Sequence, residues 1–287
     1  MWMSAIGILF CVSGVCAEDG AAFDMGRITF AGIEMPYRVA HFIGTGTSSV
    51  VIYLHGGSSK GDDNEMQLRE PGIDSIANYL EANHLDATFL IPQCPSDKSW
   101  GGQMLGVLKA LIERYAGDGA EESCRVYIFG GSMGGTGTWS MLSAYPGLFT
   151  AAMPVAGNPS KCDADKVASV PVYTVMGTSD RIMSVEAAAK FIQELDSRGA
   201  TTKFDIEDGW THEMTCIQSY TAQRLDWVFG HEKNPSDIQM LRLTDGEILS
   251  KQYFSLDGTR LSEPPAKGIY ILRCMTKDRN ISTMIFR

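Results

Sequence analysis

RVYIFGGSMGGTGTW, residues 125–139, runs from a short apolar segment directly into a turn crowded with glycine. The apolar run from Val126 to Phe129 does not alternate with polar residues, so it predicts a strand covered on both faces, as in the middle of a parallel sheet. From Met133 onward the pattern reads as a helix. Between the two stands Gly-x-Ser-x-Gly. A serine at such a sharp strand-to-helix turn has its hydroxyl lifted above the edge of the sheet. Gly130 and Gly134, two before and two after Ser132, leave space where a β-carbon would collide, and Gly135 lets the helix approach its neighbours. Glycine-rich turns are common, so the position between a buried strand and a helix carries this reading, not the spacing alone.

Outward from this turn the same texture repeats. VVIYLH (50–55), ATFLIP (87–92), FTAAMPVAG (149–157) and PVYTVMG (171–177) are further apolar runs. Between them lie helical patterns. Met104, Val107, Leu108, Leu111, Ile112 and Tyr115 share one helix face, and so do Val185, Ala188, Phe191, Ile192 and Leu195, with Ser184 as N-cap and Gly199 shortly past the end. Alternating strand and helix predicts an α/β domain with a mostly parallel sheet and right-handed crossovers, over residues 18–231. GRITFAGIEMPYRVAHFIG (26–44) alternates instead, which suggests an antiparallel pair at a sheet edge. After a polar linker at 232–238, residues 239–287 offer β-forming runs separated by TDG, LDG, PPAKG and KDRN, which predicts an antiparallel unit of about four strands.

Bulk figures set limits on function. The chain has 287 residues, 44% hydrophobic and 20% charged, ordinary globular material. With 34 acidic against 24 basic residues the net charge is −10, which disfavours nucleic acid and anionic membranes as partners. Residues 1–17 carry no charge, contain an apolar run from Ala5 to Val12 and end with Val15 and Ala17 at the −3 and −1 positions of a cleavage site. They read as a secretory signal. A lipid anchor on Cys16 ranks second, because Val15 is bulky for the residue before it. No other segment approaches the ~18–20 apolar residues of a membrane span. Of seven cysteines, Cys94, Cys124, Cys162, Cys216 and Cys274 lie beyond the signal. An odd count without a CxxC pair predicts buried thiols over a disulfide framework or zinc site, with Cys162 and Cys216 the pair to test for a bridge.

A serine hydroxyl needs a base, itself oriented by an acid, and on this kind of sheet the chain order is Ser, then Asp or Glu, then His. Of five histidines only His212 and His231 follow Ser132, and His231 adjoins the linker. His212 lies in a loop between strand-like TKFDIED and helix-like TCIQSYTAQRLDWVFG. Asp180, three residues past the run 171–177, is the favoured acid, with Asp163 and Asp165 as alternatives one strand earlier. Taken singly, any aspartate before a helix is more simply a cap. The tetrahedral oxyanion needs two N–H donors: Met133, next to the nucleophile, and Gly57 in the loop YLHGGSSKGDDN, with His55 bracing that loop. HEMTC (212–216) starts like a zinc helix but has Cys216 where a second histidine belongs. Asp62, Asp63 and Asn64 offer cation-binding chemistry but more simply cap and solvate their loop. No phosphate- or dinucleotide-binding glycine pattern follows a strand, so neither cofactor nor metal is expected.

Four ordered segments, LHGGSSKGDDNEMQL, LIPQCP, GGSMGGTGTW and MGTSDRIMSVEAA, together resemble secreted α/β-hydrolase-fold esterases near the esterase D, feruloyl esterase and polyhydroxybutyrate depolymerase-like groups, often labelled predicted peptidases. The resemblance covers about residues 50–230. It implies Ser132, Asp180 and His212 as a triad, the HGG loop as oxyanion support, and ester substrates such as feruloyl or acetyl groups on plant polysaccharide. The family commonly has a Gly-His pair where this chain has Thr211 and His212. Trp100, Trp139 and Trp210 are candidates for an aromatic or sugar subsite, against a default of packing. The tail YFSLDGTRLSEPPAKGIYILRC resembles sorting domains read by the type IX secretion system, which implies secretion machinery as a partner. Two alternatives stand beside the esterase reading: a prolyl-oligopeptidase-type peptidase and a catalytically silent glycan-binding surface protein.

Overall fold

A computed structural model describes residues 23–116, 124–231, 248–255, 259–263, 269–276 and 280–286. The chain divides into two compact units between Asn234 and Pro235. Segments 1–17 and 232–238, read above as leader and linker, lie outside the described residues.

The first unit holds an eight-stranded sheet in the order β1-β2-β4-β3-β5-β6-β7-β8. Its strands are β1 (Asp24–Phe30), β2 (Ile33–Phe42), β3 (Thr45–Leu54), β4 (Leu85–Pro92), β5 (Arg125–Gly131), β6 (Ala151–Val155), β7 (Val172–Gly177) and β8 (Thr202–Glu207). The alternating segment does form an antiparallel edge hairpin, with β2 also antiparallel to β4, and every later pairing is parallel. Helices α1 (Pro71–Ala82), α2 (Gln103–Ala116), α3 (Met133–Ala144), α4 (Ala164–Val167), α5 (Val185–Asp196), α6 (His212–Gln218) and α7 (Ala222–Phe229) complete it.

The unbroken apolar runs have a simple cause. Along β3, Val50, Ile52 and Leu54 pack into a layer with Leu108, Trp139 and Phe191, while Val51 and Tyr53 pack into another with Ile73, Ile76 and Leu225. Helices α2, α3 and α5 supply the first layer and α1 and α7 the second, so side chains on both faces of the central strands leave water. β3 lies between β4 and β5, so the strand order reverses there. Such a reversal opens a crevice at the carboxyl ends of the strands, where open α/β sheets place their sites.

The second unit is a four-stranded antiparallel sheet in the order β10-β9-β11-β12, formed by β9 (Ile248–Phe254), β10 (Arg260–Leu261), β11 (Ile269–Thr276) and β12 (Asn280–Phe286). No described helix is long and apolar enough to cross a membrane.

Candidate active site

The turn between β5 and α3 puts Ser132 at φ 58° and ψ −118°. A left-handed φ on a residue with a β-carbon costs about 1–3 kcal/mol and persists only where the surroundings dictate it. Here they do. The Ser132 N–H donates to the Val155 carbonyl (3.0 Å), and its own carbonyl accepts from Thr136 N–H (3.0 Å). A β-carbon at Gly134 would stand 1.7 Å from the Leu54 carbonyl oxygen, and one at Gly130 would stand 2.5 Å from that of Gly134. Without those glycines the helix could not sit close enough to aim the hydroxyl out of the sheet.

Two segments at the same sheet edge, the loop after β7 and the start of α6, bring up the partners. His212 Nε2 lies 2.7 Å from Ser132 Oγ, and His212 Nδ1 lies 2.8 Å from Asp180 Oδ2. The Asp180 side chain is fully buried and that of His212 is 15% exposed. Asp180 Oδ1 also accepts from the N–H groups of Ile182 (2.8 Å) and Met183 (2.9 Å), so the carboxylate cannot swing away. Because an ionised carboxylate only accepts, Nδ1 carries the imidazole proton and Nε2 is left to accept from the serine hydroxyl.

His212 departs from the sequence expectation in its local setting. It opens helix α6 instead of lying in a loop, with Thr211 as N-cap accepting from Met214 N–H (3.3 Å). The helix expected to run on past it breaks at Ser219–Thr221 into α6 and α7, where Ser219 and Thr215 turn their hydroxyls back onto carbonyls four residues earlier. The carboxylate bonded to His212 is that of Asp180, and the two alternative acids are engaged elsewhere. Asp163 caps α4 by accepting from Asp165 N–H, and Asp165 pairs with Arg198.

Met133 opens α3 and Gly57 opens a single 3₁₀ turn, so both N–H groups belong to first turns that have no acceptor within their own helix. Gly57 is exposed, and nothing lies within 4 Å of where its side chain would stand. His55 braces the loop as expected: Nδ1–H donates to the Gly56 carbonyl (2.6 Å) and Nε2 accepts from Cys94 N–H (2.9 Å). Burial lowers its pKa to about 4, so it is neutral at neutral pH, and with both ring nitrogens held by backbone groups it has no free position from which to take a proton. In the neighbouring loop Asp63 Oδ1 accepts from the N–H groups of Glu65 and Met66 and from Gln93, which accounts for it as a cap.

The tryptophans separate. Trp139 is wholly buried against Phe191, and Trp100 is 2% exposed with its Nε1–H bonded to the His55 carbonyl (3.0 Å). Both belong to the core, which corrects the reading of them as subsite residues: sealed side chains cannot meet a substrate. Trp210, two residues before His212, is half-buried and lines a cleft of about 670 Å³ with Tyr173, Asp205, Glu207, Arg224 and Trp227. Arg224 pairs there with both carboxylates and lies 5.9 Å from the Trp210 ring. The bridge to be tested does not form. Cys162 packs against one face of the sheet and Cys216 against the other, both thiols are free, and burial pushes them up to about 11 and about 12. The Cys274 side chain lies outside the described residues.

A mostly parallel eight-stranded sheet covered by helices on both faces, with a serine turn after β5, is the α/β-hydrolase fold. Residues 94–226 match the model of the dienelactone hydrolase family, a stretch that contains Ser132, Asp180 and His212. No curated protein matches the chain in sequence. Among solved structures it is similar to a thermostable esterase, at 24% identity and a TM-score of 0.64, over 73% of this chain and 63% of that one. It is similar also to the feruloyl esterase module from Clostridium thermocellum complexed with sinapinate, at 15% identity and a TM-score of 0.56, over 76% of this chain and 91% of that one. The acylaminoacyl peptidase of Pyrococcus horikoshii, at 15% identity and a TM-score of 0.55, is covered over 43% of its length by 76% of this chain. At these identities the structural likenesses speak for the fold.

Proposed function

We propose that this protein is a serine hydrolase that cleaves carboxylic esters through an acyl-enzyme. The observation that carries the proposal is one unbroken line, Asp180 Oδ2 to His212 to Ser132 Oγ, with spacings of 2.8 Å and 2.7 Å. Ser132 Oγ attacks the ester carbonyl as His212 Nε2 takes its proton. Asp180 holds the tautomer and stabilises the imidazolium that forms. The N–H groups of Met133 and Gly57 receive the oxyanion, each such donor being worth about 10²–10³ in rate. His212 returns the proton to the leaving alcohol, and water attacks the acyl-enzyme by the same route in reverse roles.

For the substrate we propose feruloyl or acetyl esters of polysaccharide, with the sugar side lying along the Trp210 cleft. The half-buried indoles of Trp210 and Trp227, beside the planar polar groups of Arg224, Asp205 and Glu207, are the chemistry that stacks on and hydrogen-bonds to a neutral sugar. Secretion belongs to the same proposal. Mass spectrometry of exported protein would expose it as wrong if residues 1–17 were retained.

The likeness to a peptidase favours amide hydrolysis as a second reading, since the same three groups cleave amides. A fluorophosphonate probe and a panel of aryl acetate, feruloyl ester and peptide substrates separate the readings. The expected result is a probe adduct lost in Ser132→Ala and turnover of esters well above peptides. Absence of a Ser132-dependent adduct would sink the hydrolase reading, leaving a silent glycan binder.

A further inference from the structure

Glu70 is the residue before Pro71, at the N-cap of α1, yet its side chain makes no cap bond to that helix. Its Oε1 instead crosses to residues 56–59. It accepts from the Gly56 N–H at 3.0 Å and from the Ser59 hydroxyl at 2.7 Å. These two donors flank Gly57, the proposed second oxyanion donor. Ser59 is 5% exposed, and its carbonyl accepts from Gln93 Nε2 (3.3 Å), so the far end of the turn is anchored as well. The nucleophile is in reach of the same arrangement. A β-carbon at Gly56 would stand 3.4 Å from Glu70 Oε1 and 3.7 Å from Ser132 Cβ.

A negative charge beside a developing oxyanion is electrostatically unfavourable, by an amount that grows as water is excluded. The benefit that offsets it must be geometric. A glycine pair such as Gly56–Gly57 has wide conformational freedom, and a donor that must reorient during reaction loses much of its catalytic value. One oxygen accepting on both sides of Gly57 removes that freedom before substrate arrives.

We propose that Glu70 is a positioning residue: its carboxylate clamps residues 56–59 so that the Gly57 N–H is already aimed at the oxyanion. This rests on the serine hydrolase reading above. Glutamine keeps an acceptor oxygen in the same place and discards the charge, whereas alanine removes the clamp. Glu70→Gln is therefore expected to hold kcat within about 3-fold of the parent, and Glu70→Ala to lower it by about 10–10², with KM within about 2-fold. Affinity for an aryl trifluoromethyl ketone, which forms a tetrahedral adduct on the serine, should fall in Glu70→Ala by the same factor as kcat/KM. Ser59→Ala, which removes one of the two bonds, should lower kcat by about 3–10-fold, and it decides the matter should Glu70→Ala fail to fold. Equal impairment of the glutamine and alanine variants, unchanged ketone affinity in Glu70→Ala, or parent-like kcat in folded Glu70→Ala or Ser59→Ala would overturn the clamp. If the parent protein turns over esters while any of these holds, only the clamp is lost. If the parent shows no Ser132-dependent turnover, the hydrolase reading and the clamp are lost together.

Discussion

Two histidines stand at the carboxyl edge of the sheet, His55 after β3 and His212 after β8, and in each both ring nitrogens are engaged. The ring nitrogens of His55 bond to backbone, a carbonyl on one side and an N–H on the other, and the side chain is wholly buried, its ring edge-on to Trp100. His212 meets a carboxylate and a hydroxyl and keeps part of its side chain in solvent. The imidazole is the same; what differs is what it faces, main chain in one case and a carboxylate and a hydroxyl in the other. A ring fixed between two main-chain groups has no labile proton to receive, whereas one between Asp180 and Ser132 can take a proton and be stabilised while holding it.

The sharpest way to break this contrast is to remove the side proposed to react. Ser132→Ala or His212→Gln should lower kcat by about 10⁴-fold or more, and the double variant should be no worse than either single one, because the groups act as a unit. Steady-state hydrolysis of an aryl acetate checks both. Asp180→Asn should cost about 10⁴-fold with the fold intact, since an amide N–H facing Nδ1 moves the imidazole proton to Nε2, where it faces Ser132.

Removing the brace should act on stability. His55→Ala leaves the Cys94 N–H without its partner and the Gly56 carbonyl with only the Ser59 N–H (3.3 Å), and urea unfolding at pH 7 should show a loss of about 1–3 kcal/mol. pH separates the two histidines further. With its folded pKa lowered to about 4, His55 stays neutral in the native state between pH 6.5 and 4 while the unfolded chain takes up the proton. The unfolded state then binds more protons, so stability falls as pH drops through that window and levels off below it. The His55 share of the loss is on the order of 3 kcal/mol. It should vanish from the difference between unfolding free energies at pH 7 and pH 4 in His55→Ala and persist in His212→Gln.

The tryptophans repeat the contrast at the small end of the scale. Trp139→Ala opens a cavity in the core and should cost about 3–5 kcal/mol. Trp210→Ala should change stability by less than about 1 kcal/mol and raise KM several-fold on a polysaccharide ester, with little effect on an aryl acetate. Equal KM changes on both substrates would remove the sugar-side role of the cleft.

Much of this was legible along the chain because its causes are local. Uninterrupted apolar runs mark strands buried on both faces, and the cluster of glycines around Ser132 marks a tight strand-to-helix turn, although the carbonyl that a β-carbon at Gly134 would strike belongs to Leu54 on β3. Chain order after the serine pointed to Asp180 and His212. Other features left no such mark. Asp163 and Asp180 look alike in sequence, each a short distance past a strand and before a helix, and each in fact accepts N–H bonds from the residues that follow. Only one of them also faces an imidazole. Glu70 carried no signal, because a glutamate before a proline at a helix start reads as an ordinary capping position.

Read alone, then, the chain settles the kind of sheet, the turn that raises the serine, and the few residues able to serve it, since the apolar pattern of a strand and the glycines of a turn are written within a few positions along the chain. The packed fold alone settles which aspartate meets His212, which tryptophan is reachable, why Cys162 and Cys216 stay apart, and that Glu70 grips the loop at Gly57. Those depend on how loops separated by tens of residues converge at one edge of the sheet, and hydrogen bonds act over about 3 Å in space, whatever the distance along the chain.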